Sequence, residues 1–321
     1  MEILQIKEVT KEFDKKIVLD RLNFSVEEGD VFGIIGQSGS GKTTLLNLLI
    51  GFYDPSEGQV LFQPDKNKKP QDIHQNINEM RKQFGFASQV SSFYPKLTLR
   101  ENLMHFGQLY GIKKKVLNGN IDNLLEFTKL TNHQNKLAEH ISVGMQKRLD
   151  LSCSLIHKPK ILILDEPTAN LDPVLQKEVL YLIKQANHQG ITIIIASHHL
   201  DEIEEICNKV ALIHQGKITK WGTVEEVKKP YLDKERSIHL TAGEHHQRLV
   251  EGVKSLSVSR IVDKGTSLVL YSDEIQDTLY RLINLTQQKK INLQDIDIKK
   301  PSLQEVFEKI VQEDEEKTLS E

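Results

Sequence analysis

The chain has 321 residues, 27% charged and 38% hydrophobic, enough for one large or two ordinary domains and globular rather than disordered or fibrous. A formal net charge of −3 lacks the basic excess of general nucleic-acid binders, so a run such as Lys113-Lys114-Lys115 reads as solvated surface. Two cysteines, Cys153 and Cys207, without Cys-x-x-Cys spacing suggest neither a zinc site nor a disulfide framework and fit a reducing cytosol.

In chain order, residues 1–7 lack the charged-then-apolar form of a signal peptide. Val31-Phe32-Gly33-Ile34-Ile35 reads as an apolar strand and Leu45-Leu46-Asn47-Leu48-Leu49 as part of a helix. Between them lies Gly36-Gln37-Ser38-Gly39-Ser40-Gly41-Lys42-Thr43-Thr44. Strand, Gly-x-x-x-x-Gly-Lys-Thr and helix in this order form a phosphate-binding loop. The glycines let backbone N–H groups curl around β- and γ-phosphates, and the helix start adds its positive dipole end. Lys42 can place its ammonium on the terminal phosphates, and the Thr43 hydroxyl can ligate Mg²⁺. The chain is expected to bind a nucleoside triphosphate.

From about Ser91 to Lys158 the pattern turns helical, with amphipathic runs at 99–109 and 121–130, as in an inserted lobe. Further apolar strands are expected at 161–164 and 191–196. Nearly continuous apolar strands of this kind are buried on both faces of a parallel sheet, and even the longest is too short to span a membrane. The strand Ile161-Leu162-Ile163-Leu164 ends in Asp165-Glu166-Pro167, which puts two carboxylates at the C-terminal strand edge, where ligands sit in open α/β sheets. Asp165 can hold Mg²⁺ directly or through water, and Glu166 can polarise a water aimed at the γ-phosphate.

The pattern breaks near Lys228-Lys229-Pro230. A second unit is expected from about 236: strand 237–241, helix 244–256, strand 258–263, a turn at Lys264-Gly265, strand 267–271, helix 273–288, strand 291–298 and a helix after Pro301. Thr241 with Glu244, Asp273 with Gln276, and Ser302 with Glu305 have capping-box spacing. The β-α-β-β-α-β order suggests a small ferredoxin-like sandwich over 236–312, and Glu313-Asp314-Glu315-Glu316 opens an expected frayed acidic tail, 313–321.

Taken together, these motifs resemble the nucleotide-binding subunits of ABC transporters over about residues 1–225. Gln89, after Phe84-Gly85-Phe86-Ala87-Ser88, is similar to the Q-loop, which touches Mg²⁺ and lies near the membrane partner. Ile141-Ser142-Val143-Gly144-Met145-Gln146-Lys147-Arg148 sits where the family carries its signature, usually Leu-Ser-Gly-Gly. Asn170-Leu171-Asp172 resembles the D-loop, His198 the switch histidine with His199 as bystander, and Phe13 the aromatic that stacks on adenine. The resemblance implies an α/β P-loop cassette over 1–230, with its helical lobe at about 91–158. It also implies an ATPase using ATP and Mg²⁺. Two copies would sandwich ATP head to tail, Ser142 and Gly144 clamping the other copy's γ-phosphate.

The same resemblance implies a separate transmembrane permease as partner, with the subunit held at the inner face of the cell membrane through it and contact running through an exposed groove of Phe93, Tyr94 and Leu97. Val143 departs from the usual glycine, adding a branched side chain where phosphate approaches and φ could be unusual, which suggests slower hydrolysis. Lys300-Pro301-Ser302-Leu303-Gln304-Glu305-Val306-Phe307 resembles the tail of subunits from multidrug and antibiotic export systems. Physically it is a capped amphipathic helix that either docks within its own small domain or braces a second copy. Two other readings stand beside the transporter motor: a soluble ABC ATPase of DNA or ribosomes, and a regulatory module that holds ATP without turnover.

Overall fold

The computed structural model describes residues 1–231, 237–272 and 274–320, with side chains described through 314. Two compact units divide the chain, 1–223 and 224–321.

The first unit begins with β1 (Glu2–Phe13), β2 (Lys16–Glu27), β3 (Val31–Ile35), α1 (Lys42–Leu49), β4 (Glu57–Phe62), β5 (Gln71–Asp72), α2 (Ile77–Arg81) and β6 (Phe84–Ala87). It continues through α3 (Leu99–Leu109), α4 (Lys114–Phe127), α5 (Val143–Leu155), β7 (Ile161–Asp165), α6 (Pro173–His188), β8 (Thr192–Ser197), α7 (Leu200–Ile206), β9 (Lys209–His214) and β10 (Lys217–Thr223). Strands β9-β3-β8-β7-β6 run parallel in that order, and β10 adds an antiparallel edge to β9. Every residue of β3, β7 and β8 is buried, which explains why their sequences are nearly continuous Val, Ile and Leu.

A second, antiparallel sheet, β2-β1-β4-β5, faces the first across α1. Leu45, Leu46, Leu48 and Leu49 of that helix are fully buried, as a helix enclosed on all sides requires. Each such leucine contributes roughly 1.5–3 kcal/mol of burial free energy, so the core grips the start of α1, where the phosphate loop ends. Hairpin β1–β2 turns through Asp14 and Lys15, both at positive φ, which sets Phe13 at its tip opposite Lys16.

The helical lobe has a core of its own, including Leu99 and Leu103 of α3, Leu117, Ile121 and Leu125 of α4, and Leu149 and Cys153 of α5. Helix α4 starts seven residues before the expected run, because Leu117 opens its buried stripe four residues ahead of Ile121. Phe93 belongs to this core, 9% exposed, which corrects the expected groove; Tyr94 stays exposed and Leu97 is half-buried.

The second unit contains α8 (Val224–Lys228), β11 (Ser237–Thr241), α9 (His246–Val253), β12 (Arg260–Asp263), β13 (Leu268–Tyr271), α10 (Ile275–Gln288), β14 (Asp295–Lys299) and α11 (Leu303–Ser320). Its sheet, β12-β13-β11-β14, is antiparallel throughout, and β-α-β-β-α-β connections cross it. The boundary falls at 223/224 rather than near 230, because α8 packs on α11. The Ser302–Glu305 box forms, Glu305 N–H donating to Ser302 Oγ at 3.2 Å and Ser302 N–H to the Glu305 carboxylate at 2.8 Å. The Thr241–Glu244 box does not, since a short 3-10 turn at 243–245 precedes α9. Asp273 lies outside the described residues. The expected acidic tail is helix as far as Ser320, in keeping with the high helix propensity of Glu and Lys.

Gly85 of β6 lies against α5 so closely that an added Cβ would come 2.3 Å from the Ser154 carbonyl oxygen. Gly119, exposed within α4, has open space around it. Gly85→Ala should therefore cost about 1–3 kcal/mol by overpacking, whereas Gly119→Ala should add about 0.5–1 kcal/mol, as checked by urea unfolding.

Candidate functional site

Four parallel strands deliver the site. The loop after β3 carries the phosphate-binding residues, β7 ends in Asp165 and passes to Glu166, β8 ends in Ser197 before His198, and the loop after β6 carries Gln89. Neighbouring parallel strands place all four C-terminal ends along one edge of the sheet. A cleft of ≈ 450 Å³ opens there, lined by Val18, Ser38, Gly39, Gly41, Lys42, Thr43, Thr44, Gln89, Asp165, Glu166 and His198.

The loop fits a polyphosphate. Gly39 and Gly41 take φ of +80° and +106°, and a Cβ at Gly36 would lie 2.4 Å from the Ile213 carbonyl oxygen. Ser40 Oγ is buried without a hydrogen-bond partner beside that glycine. Lys42 Nζ donates to the Gly36 carbonyl at 2.8 Å and the Gln37 carbonyl at 3.2 Å. Burial holds the Lys42 ammonium below the ordinary lysine range, against the pull of the Glu166 and Asp165 carboxylates. A bound phosphate would favour its charged form.

Thr43 Oγ1 donates to Asp165 Oδ2 at 2.9 Å, pairing a hydroxyl with a carboxylate as hard oxygen donors suited to Mg²⁺. Burial raises the Asp165 carboxyl above the usual range, and the Thr43 hydrogen bond opposes that rise. Glu166 is 7% exposed, and its φ is +49°. A left-handed backbone at a non-glycine residue costs on the order of 1–3 kcal/mol and persists only where its surroundings fix it. Here Glu166 N–H donates to the Ala196 carbonyl at 2.9 Å, and Glu166 Oε1 sits 2.8 Å from His198 Nδ1. The β7–β8 pairing thus sets the carboxylate and the histidine as one unit. His199 is the cap residue before α7, outside the cleft lining, with its ring 4.1 Å from that of His198.

The remaining candidates lie outside the cleft. Phe13, 37% exposed, stands edge-on to Tyr53 at 5.2 Å with the Lys11 ammonium 4.8 Å from its ring centre, and Val18 rather than Phe13 lines the cleft. Ser142 caps α5 by accepting from Met145 N–H at 3.4 Å. Val143 is the first residue of α5 and is not among the positive-φ residues, so the valine strains no backbone here; the residue is 52% exposed. Gly144 is buried where a Cβ would come within 2.8 Å of the Leu175 side chain. Asp172 caps α6, accepting from Val174 and Leu175 N–H at 2.9 and 3.0 Å, with Pro173 at the first helical position.

Sequence reasoning missed Val18, which carries no chemical signal, and Glu202, whose carboxylate accepts from Thr168 Oγ1 and ties the turn after β7 to α7. It also missed Lys147, whose Nζ donates to the Gln89 carbonyl at 3.0 Å.

The sheet, the phosphate loop and the carboxylates at its edge define a P-loop nucleotide-hydrolysing fold. Residues 19–169 match the ABC transporter family. The bacitracin transport ATP-binding protein BcrA of Bacillus licheniformis is 38% identical over 71% of this chain and 72% of its own length. The linearmycin resistance ATP-binding protein LnrL of Bacillus subtilis (strain 168) is 27% identical over 95% of this chain and 97% of its own. A solved structure, the ADP conformation of MJ1267, an ATP-binding cassette of an ABC transporter, matches at TM-score 0.64 and 28% identity, over 70% of this chain and 92% of that one. The chain belongs to the ATP-binding proteins of ABC transporters, and its characteristic activity is ATP hydrolysis.

Removing the Asp172 cap should cost about 1 kcal/mol, so Asp172→Ala should lower the urea midpoint while Asp172→Asn holds it.

Proposed function

We propose that this chain powers a separate membrane permease, as an exporter subunit working in head-to-tail pairs. Within the described residues no helix is long and apolar enough to cross a membrane, which leaves the transport path to a partner. Export is supported by the relatives named for bacitracin transport and linearmycin resistance. The subunit would work at the inner face of the cell membrane, held there by the permease.

The observation that carries the reading is the contact of Glu166 with His198 in the same cleft as Lys42 and the Thr43–Asp165 pair. In the proposed roles, the loop from Gly36 to Thr44 cradles the phosphates and Lys42 draws charge from the terminal ones. Thr43, Asp165 and Gln89 would hold Mg²⁺, which supplies charge neutralisation at the β- and γ-phosphates. Glu166 takes the proton of the attacking water, and His198 orients Glu166 and reaches the γ-phosphate. Phe13 offers a face to the adenine ring. Ser142 and Gly144 serve the second copy's nucleotide, with Asp172 at the joint between copies. Their caps and packing keep those helix starts ready within one copy. ATP closes the pair and hydrolysis opens it.

Glu166→Gln keeps the shape and removes the base. It should abolish turnover, retain ATP binding and trap a dimer on size exclusion in ATP and Mg²⁺; a variant that stays monomeric with ATP, or hydrolyses as the parent does, would overturn the reading. Val143→Gly should raise kcat, since it clears a branched side chain from the phosphate's approach; an unchanged kcat would show that the valine is no handicap.

A further inference from the structure

The signature helix holds the Q-loop from both ends. Lys147 and Asp150 stand three residues apart on α5 and so share one face. Lys147 Nζ donates to the Gln89 carbonyl at 3.0 Å, and Asp150 Oδ1 accepts from Ser92 N–H at 2.9 Å. Only Val90 and Ser91 lie between those two points. The next residue, Phe93, is buried in the lobe core with Leu149 and Cys153 of the same helix. Tyr94 N–H then donates to Asn102 Oδ1 at 2.7 Å, which fixes the chain to α3.

We propose that Lys147 and Asp150 are positioning residues for ATP hydrolysis, pinning the Gln89 loop to α5 so that Gln89 and the signature serine Ser142 move as one piece. The inference rests on the reading that Gln89 serves the metal and phosphate site. The coupling is geometric. Ser142 caps the first turn of α5, Lys147 and Asp150 follow on the same helix, and Gln89 lines the nucleotide cleft. A Gln89 drawn toward the metal pulls its own carbonyl, and with it the helix whose start would face the partner's nucleotide.

Asp150 is a costly residue for this place, which argues against a role in stability. It is 3% exposed, and burial pushes its carboxyl up to about 6, against the Ser92 N–H and the Lys147 ammonium. Lys147, half-buried, is also attracted by Asp165 of β7, and the other ionisable group close by is the buried Cys153 thiol. The small cavity beside Asp150 is lined by Lys147 as well, and its remaining lining is uncharged, Leu151, Leu164 and Val179 among it. Since the folded pKa lies above the unfolded one, the contribution of Asp150 to stability is fully present below about pH 3.8 and lost as pH rises through about 6. Asp150→Asn, which keeps an acceptor for Ser92, should therefore melt as high as the parent or higher at pH 8 and lose that advantage near pH 4. A clear fall in Tm at pH 8 would make Asp150 a structural anchor and overturn its assignment.

The deciding experiment is a double-mutant cycle on the full chain, measuring kcat, ATP KM and the Mg²⁺ half-saturation. Gln89→Ala leaves the carbonyl that Lys147 holds. It should slow turnover and raise the Mg²⁺ requirement. Lys147→Met should lower kcat by about ten-fold, at the low end of losses from residues that orient a metal site, with ATP KM little changed. Lys147→Arg should recover most of the rate. In the Gln89→Ala background, Lys147→Met should add no further loss. A Gln89→Ala enzyme with parental kinetics would overturn the reading of Gln89, and the clip with it. A slow Gln89→Ala combined with a parental Lys147→Met, or with losses that multiply, would overturn the clip alone. Should Lys147→Met fail to fold for want of a counter-charge to Asp150, Lys147→Met with Asp150→Asn removes both charges and carries the same cycle.

Discussion

Strand register is the constraint on which the site depends. Ile35 of β3 pairs with Ser197 of β8, and Asp165 of β7 pairs with Ala196 of β8. Those pairings fix where the phosphate loop, the two carboxylates and His198 emerge. A slip of one residue would move a carboxylate by about 3.3 Å and turn its side chain to the other face. Complete burial of all three strands opposes any such slip, because it would draw polar or charged residues into the core, Glu166 behind β7 and His198 behind β8 among them. The same pairing holds Glu166 in its left-handed conformation through the Ala196 carbonyl. The hydrophobic core therefore acts as the positioning device for the chemistry.

Much of this was legible in the sequence because burial and chemistry leave different marks. Continuous apolar runs gave β3, β7 and β8 to within a residue or two, and the phosphate loop is a local motif whose strand and helix contexts flank it. What escaped was decided by packing. An aromatic in a polar stretch can face water or a core; Phe93 enters the lobe core while its neighbour Tyr94 does not. Thr241 and Glu244 have the spacing of a capping box, yet Gly243 at φ +50° turns the chain before the helix begins. Asp172 reads as a ligand residue by resemblance and is seen first as a helix cap. Lys147 and Asp150 look like ordinary surface charges of an amphipathic helix, because the loop they hold lies 58 residues earlier in the chain.

The cleft joins Lys42, Thr43, Asp165, Glu166 and His198 within one copy, whereas Ser142, Gly144 and Asp172 sit at the starts of α5 and α6, outside it. Such a division suits a reaction that needs two copies, each contributing a complete phosphate cradle and a pair of capped helix ends. Gly144 gives that arrangement internal rigidity. Its missing Cβ lets Leu175 of α6 close against α5, so the two helix starts keep a fixed separation.

Among the groups of the first unit whose conformation or charge costs free energy are Glu166, by its backbone, and Asp150, by its desolvation. Neither cost would persist for stability alone, because an uncharged residue at 150 or a glycine at 166 would relieve it. Both lie where a loop or strand end must be held against thermal motion. The core that encloses α1 and the parallel strands is large enough to offset both. A nucleotide site that opens and closes in the proposed cycle would need points that do not yield, and the end of β7 and helix α5 would supply them.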